Sequence, residues 1–236
     1  MTKTAEIRLN GTVICYDPSL FPKMEPSLFD ANWLRANGCW QGSTQGRNQA
    51  HFLTYADHDM VLRHFHRGGL MGRVNNDLFL RLGAKKSRAF QEFELLKLMR
   101  LKGLAVPRPL AARYVPRGLT YRADIITQRI PNAQTLAQIL QTKELPPYLW
   151  VAIGAEIKKL HSHRVFHSDL NCRNIMIDTS EAVWVIDFDK CEMRKAGPWM
   201  QANLDRLERS LKKVATQSPD FHWQPKDWEH LLSGYR

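Results

Sequence analysis

With 236 residues, 44% of them hydrophobic and 24% charged, the chain has the composition of a globular protein of one or two small lobes. That balance excludes intrinsic disorder, collagen and coiled coil, and uncharged stretches such as Leu145 to Ala155 fall well short of the roughly 20 apolar residues of a membrane-spanning helix. Lys plus Arg number 34 against 23 acids, a net charge of +11, and the surplus is local: fifteen basic and four acidic residues lie between Arg63 and Arg129, while the remainder balances at nineteen each. A charge excess concentrated in one stretch points to an anionic partner, whether nucleic acid, a phosphate-bearing substrate or an acidic membrane surface. Cys15, Cys39, Cys172 and Cys191 are far apart with no C-x-x-C pair, which argues against a zinc site or a disulfide framework and fits a reducing compartment. Met1 to Glu6 contain no apolar signal core, so a cytosolic chain is expected.

In chain order, Glu6–Tyr16 reads as two short strands around Asn10-Gly11, a hairpin signal. Pro18, Pro22 and Pro26 then interrupt regular structure, and Ser27 is the expected cap of a short helix that ends at Gly38. Trp40–Leu53 reads as strand, glycine turn and strand, and Met60–Phe65 as a further strand. Ser87–Leu101 carries Phe90, Phe93, Leu96 and Leu101 on one stripe, widened by Leu95 and Leu98, and predicts an amphipathic helix closed by Val106-Pro-Arg-Pro109. A strand is expected over Tyr121–Ile130 and a helix start at Thr135–Leu140. Pro146 and Pro147 suit a helix start, and Leu149, Ile153, Ile157 and Leu160 carry that helix to about His161. A loop (His167–Asn174), two strands (Ile175–Ile177 and Val183–Ile186) and a final helix striped by Leu204, Leu207, Leu211 and Val214 complete the reading. Strands with one helix first, then mostly helices with a small ribbon, predict an α+β chain of two lobes, divided into 1–129 and 130–236.

The most informative segment is His167-Ser-Asp-Leu-Asn-Cys-Arg-Asn-Ile-Met-Ile177, followed by Val185-Ile-Asp-Phe-Asp189. Asp169 and Asn174 lie five apart on a loop, and Asp187 follows at a strand end. Phosphoryl transfer from ATP calls for such a set: one carboxylate to orient the attacking hydroxyl and take its proton, and an amide oxygen with a second carboxylate to hold Mg²⁺ against the phosphates. His161 and His163, two apart near a helix end, are poorly placed for a metal, and His167 is expected to prop the loop by hydrogen bonds.

H-x-D-L-x-x-x-N with a later D-F-x resembles the catalytic and metal loops of the protein-kinase-like superfamily. The resemblance implies a two-lobed kinase-like fold with a small, compact C-lobe, Asp169 as the catalytic base and Asn174 and Asp187 as metal ligands. In the first lobe, Gly42, Ser43 and Gly46 form the candidate phosphate cradle, although the segment departs from G-x-G-x-x-G and a plain hairpin turn is the alternative. Arg63 stands where the superfamily keeps a phosphate-binding lysine, with Lys85 and Lys86 as alternative cations; arginine can hold phosphate oxygens bidentately. Glu92 matches the helical glutamate that pairs with that cation, a solvated helix face being the other reading. Gln128 and Ile130 fall at the lobe connector expected to contact adenine.

Only 49 residues follow Asp187, and Ser168 replaces the arginine of H-R-D, so a compact C-lobe without loop-phosphorylation control and an acceptor other than peptide are expected. Over most of its length the chain is similar to the Kdo kinase (3-deoxy-D-manno-octulosonate kinase) family. The resemblance is carried by Val61-Leu-Arg-His-Phe-His-Arg-Gly-Gly-Leu70, by Arg88-Ala-Phe-Gln-Glu-Phe leading to Val106-Pro-Arg-Pro109, by the 167–171 segment and by Asn203-Leu-x-Arg-Leu-x-Arg-Ser-Leu211. It implies ATP- and Mg²⁺-dependent phosphorylation of a Kdo hydroxyl on Kdo-lipid A, in lipopolysaccharide inner-core assembly. The protein would work peripherally at the cytoplasmic face of the inner membrane, its basic surplus on the anionic surface, with Arg67, Arg73 and Arg81 helping to hold the acidic acceptor. No nucleic-acid partner and no obligate protein partner are expected. A core heptose kinase, a small atypical Ser/Thr kinase and, in a different class, a basic nucleic-acid-binding scaffold are the alternatives.

Overall fold

The computed structural model describes residues 4–44, 49–66, 79–80 and 83–236. The chain divides into two compact units, one formed by Met1–Lys97 with Arg108–Arg129 and the other by Leu98–Pro107 with Ile130–Arg236. The last turn of α2 and the segment after it thus group with the second unit. One reason is local: the Ala105 carbonyl accepts the Val185 N–H at 3.1 Å. Among the sequence-predicted site residues, Gly46, Arg67, Arg73 and Arg81 lie outside the described residues.

The first unit is an antiparallel sheet with strand order β1-β2-β7-β8-β5-β4-β3, and β6 pairs with β8. Its members are β1 (Ala5–Leu9), β2 (Thr12–Tyr16), β3 (Trp40–Ser43), β4 (Ala50–Tyr55), β5 (His58–His64), β6 (Phe79–Leu80), β7 (Pro109–Arg117) and β8 (Thr120–Gln128). The hairpin read at Asn10-Gly11 is present, with both residues at positive φ. Leu53, Met60, Leu62, Leu110 and Ile126 bury one face of the sheet against Leu28, Phe29 and Leu34, a core closed to water by apolar area alone.

Three expectations for this unit need correction. The segment after Pro26 is a 3-10 turn (Pro26–Phe29) followed by α1 (Ala31–Ala36), and the cap of α1 is Asp30, whose carboxylate accepts the N–H groups of Asn32 and Trp33. Ser27 sits inside the 3-10 turn instead, because the short Asp side chain at 30 reaches two orphan donors at once. In α2 (Arg88–Leu101) the buried face is Ala89, Phe90, Phe93, Leu96 and Met99, while Leu101 is 56% exposed. Strand β7 was not expected: its prolines, 109 and 116, signal breaks, yet they fall at the first and next-to-last positions, where a ladder tolerates a missing donor.

The second unit contains a three-stranded ribbon, β9 (Gln134–Thr135), β11 (Ile175–Ile177) and β12 (Val183–Val185), and a pair, β10 (Val165–Phe166) with β13 (Glu192–Met193). Its helices are α3 (Leu136–Leu140), α4 (Pro147–Ser162), α5 (Trp199–Gln217) and α6 (Pro225–Tyr235). Proline opens α4 and α6 at the first helical position, where no N–H is missed. Leu149, Ile153, Ile157 and Leu160 are buried as the spacing predicts, as are Leu204, Leu207 and Leu211 of α5; Val214 is not among the buried residues of α5.

Candidate active site

In the second unit, the 167–174 loop lies between β10 and β11, and the strand pair β11–β12 sets its far end. Ile175 faces Val185 and Ile177 faces Val183, and the ladder extends one step further, with the Ile186 N–H donating to the Asn174 carbonyl at 2.9 Å. Asp187 therefore follows directly on the residue paired with Asn174. The turn of this hairpin is held by Asp178, whose carboxylate accepts from the backbone N–H groups of Ser180 and Ala182, the Ser180 hydroxyl and the Trp184 indole. Asp187 has φ +64, a conformation a non-glycine residue adopts at local cost, which turns the chain off the strand after β12.

The loop is pinned from three sides. His167, 1% exposed, accepts the Asp169 N–H on Nδ1 at 3.1 Å, so its proton resides on Nε2 and faces the Ile186 carbonyl at 3.0 Å. Burial holds this imidazole below its ordinary pKa, which keeps it neutral and able to accept and donate at once. His167 thereby ties the residue before Asp187 to the backbone of Asp169, and its ring packs edge-on to Phe188 at 4.9 Å. Ser168 donates its hydroxyl to the Asp189 carbonyl at 2.6 Å. The small side chain at the position of the H-R-D arginine thus joins the two loops directly.

Asn174, 8% exposed, donates its side-chain N–H to the Asp169 carbonyl at 2.9 Å. With the nitrogen committed, its oxygen is the atom available to a cation, the orientation a hard metal requires. Among the described residues no cluster of three His, Cys, Asp or Glu is suited to a metal. An amide oxygen and one carboxylate suit Mg²⁺, which characteristically completes its octahedron with phosphate oxygens and water. Asp169, Asn174 and Asp187 are therefore held on one backbone framework.

The third grip comes from α5. Asn203 receives the His167 N–H at 3.2 Å and donates to the His167 carbonyl at 2.8 Å. Arg206 donates through Nε to Asp169 Oδ1 at 2.9 Å and through Nη2 to the same oxygen. The Ser210 hydroxyl accepts the Cys172 N–H at 3.0 Å. Residues 203, 206 and 210 share one helical face. The resemblance picks out the segment that holds all three but assigns them no role; the further signal is that each polar residue immediately precedes a member of the buried stripe, Leu204, Leu207 and Leu211.

In the first unit, Arg63 of β5 donates Nη2 to both carboxylate oxygens of Glu92 on α2, at 2.5 Å for Oε2. Glu92 is 4% exposed, so the solvated-face reading fails: the carboxylate is buried and paired. The Arg63 guanidinium also lies over the Phe65 ring at 4.9 Å. Lys85 and Lys86 are exposed in a 3-10 turn (Ala84–Lys86). Gly42 has φ +121 at an irregularity in the β3–β4 ladder, a conformation that disfavours any side chain, and Ser43 accepts the Gln49 side-chain N–H at 2.9 Å. Gln128 ends β8 exposed and is held by its N–H to the Arg108 carbonyl at 2.8 Å; Ile130, half-buried, lies beyond the strand.

An α+β fold that carries H-x-D-L-x-x-x-N on a loop and D-F-D after a strand is of protein-kinase-like class, and the protein is a phosphotransferase acting on a hydroxyl group. The family model "Lipopolysaccharide kinase (Kdo/WaaP) family" matches residues 31–235, and the chain belongs to that family. It is similar to the 3-deoxy-D-manno-octulosonic acid kinase of Vibrio parahaemolyticus, with 42% identity across 96% of this chain and 94% of the relative. The proteins of the same name from Vibrio cholerae (40% identity; 94% of each chain) and Haemophilus influenzae (40%; 82% of this chain and 83% of the relative) are similar to it as well.

Proposed function

We propose that the protein transfers the γ-phosphate of ATP to a hydroxyl of the Kdo sugar on Kdo-lipid A, in assembly of the lipopolysaccharide inner core. The observation that carries this reading is the hydrogen-bonded frame of Asp169, Asn174 and Asp187 in a chain about 40% identical to proteins named for Kdo phosphorylation. Asp169 orients the acceptor hydroxyl and takes its proton as the oxygen–phosphorus bond forms and the bond to the departing ADP oxygen breaks. Asn174 and Asp187 hold Mg²⁺, which supplies charge neutralisation for the phosphates when bound. Arg63, oriented by Glu92, offers a fixed cation to a nucleotide phosphate, and Gly42, Ser43 and Gly46 offer backbone N–H groups. Gln128 and Ile130 contact the adenine. Positioning and electrostatics supply most of the rate in such a transfer.

The working location in this reading is the cytoplasmic face of the inner membrane, reached peripherally. Among the described residues no helix is long and apolar enough to cross a membrane, and the +11 surplus between Arg63 and Arg129 complements an anionic surface and an acidic acceptor. Arg67, Arg73 and Arg81 contribute to that attraction.

The test is transfer of labelled γ-phosphate to purified Kdo-lipid A, with a heptose-bearing core and a generic protein substrate as parallel acceptors. Label on the Kdo acceptor, dependent on Mg²⁺ and reduced by about 10²–10⁴-fold in Asp169→Asn, is the expected result. Label on the heptose-bearing core alone, or near-normal turnover in Asp169→Asn, would overturn the assignment.

A further inference from the structure

We propose that Arg206 recognises the carboxylate of the acceptor sugar while it holds Asp169, and so sets acceptor specificity; this rests on the Kdo reading above. Both Arg206 donors in the ion pair, Nε and Nη2, meet one oxygen, Oδ1. Among the described residues nothing hydrogen-bonds Oδ2, and the Asp169 side chain is 49% exposed, which leaves that oxygen available to a hydroxyl. A guanidinium carries five N–H groups in a plane. Two are committed to Asp169, and the Nη1–Nη2 edge has no partner among the described residues. The side chain is 48% exposed, which leaves room for a ligand to approach it.

The backbone that carries the guanidinium is anchored to the catalytic loop. The side chain leaves α5 between Asn203 and Ser210, which bind the loop on either side of Asp169. An exposed ion pair of this kind contributes little to stability, whereas a planar fork fixed beside a base is shaped to take a carboxylate bidentately. The acceptor named in the relatives is an acid, and its carboxylate and ring hydroxyls belong to one small molecule. Arg206 would engage the former while Asp169 engages the latter. A neutral sugar lacks the group that fills the fork.

The experiment compares Kdo-lipid A with the same acceptor reduced at the sugar carboxyl to an alcohol, using wild type, Arg206→Gln and Arg206→Lys, and measures kcat and KM for acceptor and for ATP. Wild type should prefer the acid by at least about tenfold in kcat/KM. Arg206→Gln should bring the ratio of the two acceptors close to one, with the ATP KM unchanged. An equal fall on both acceptors, with the ratio preserved, would overturn the proposal. So would full retention of discrimination in Arg206→Lys, which keeps the charge and loses the fork. Failure of the underlying Kdo reading shows separately, as no transfer by wild type to Kdo-lipid A.

Discussion

The side-chain amide of Asn174 donates to the backbone carbonyl of Asp169 at 2.9 Å, which fixes both the conformation of the loop and the direction of the amide oxygen. The five-residue spacing read in the sequence is thus a closed ring of hydrogen-bonded backbone. Asn174→Asp keeps an oxygen for a cation and loses the donor, so the carbonyl of Asp169 is left without its partner, at a cost of about 1–3 kcal/mol. The variant should show a raised Mg²⁺ requirement together with lowered kcat, measured as initial rate against Mg²⁺ concentration. An unchanged Mg²⁺ profile would exclude Asn174 as the proposed metal ligand.

Arg63 and Glu92 form a largely buried pair, with side chains 20% and 3% exposed. Removing one partner strands the other, which costs on the order of 3 kcal/mol at buried sites. Glu92→Gln preserves shape and removes only the charge that orients the guanidinium. It should raise the KM for ATP about tenfold with little change in acceptor KM, and a calorimetric melt should show lowered stability. A stability loss with unaltered ATP kinetics would make the pair purely structural.

A Cβ placed on Gly154 of α4 would lie 2.0 Å from the Leu231 carbonyl oxygen, and one placed on Gly234 of α6 would lie 2.0 Å from the Val151 carbonyl oxygen. The two helices are in backbone contact at these glycines, and neither carbonyl is a flexible group that can withdraw. Gly154→Ala and Gly234→Ala should each destabilise by about 2 kcal/mol or more, against the roughly 1 kcal/mol that alanine gains over glycine in an unstrained helix. Urea denaturation measures the sign directly.

His161, 4% exposed, has its Nδ1 2.7 Å from the Tyr235 hydroxyl and packs against the Trp199 ring, with Asn203 and His167 near it. Burial pushes its pKa down to about 4, although hydrogen bonding with Asn203 opposes the shift. The folded state therefore binds fewer protons than the unfolded state between about pH 6.5 and pH 4, and stability rises with pH across that window. Acidification from pH 7 to pH 4 should cost up to about 3 kcal/mol from this group, and His161→Phe should flatten the dependence. An equally steep acid limb in that variant would assign it to other groups.

The kinase-like motifs are legible in the sequence because they are local: H-x-D-L-x-x-x-N and D-F-D sit within a loop–strand–turn–strand unit whose hydrophobic alternation and spacing are visible in the chain. The helices α4 and α5 were legible for the same reason, their apolar residues recurring at 3.6-residue spacing. Strand β7 and helix α6 were not, the first masked by its prolines, the second short, with Leu231 its one buried apolar residue, although Gln224 and Asp227 form a capping box at its start.

The chain's residue order alone determined the reaction class, since the residue types and intervals needed to handle a phosphate are short-range properties. Only the tertiary structure decided which groups hold those residues in place: Asn203, Arg206 and Ser210 reaching across to residues 167, 169 and 172, and Glu92 turning inward from α2 to meet Arg63. These partners are 29 to 38 residues apart in sequence, and helix packing, driven by buried apolar area, brings them together. No local spacing rule encodes a contact whose distance is set by how the core packs.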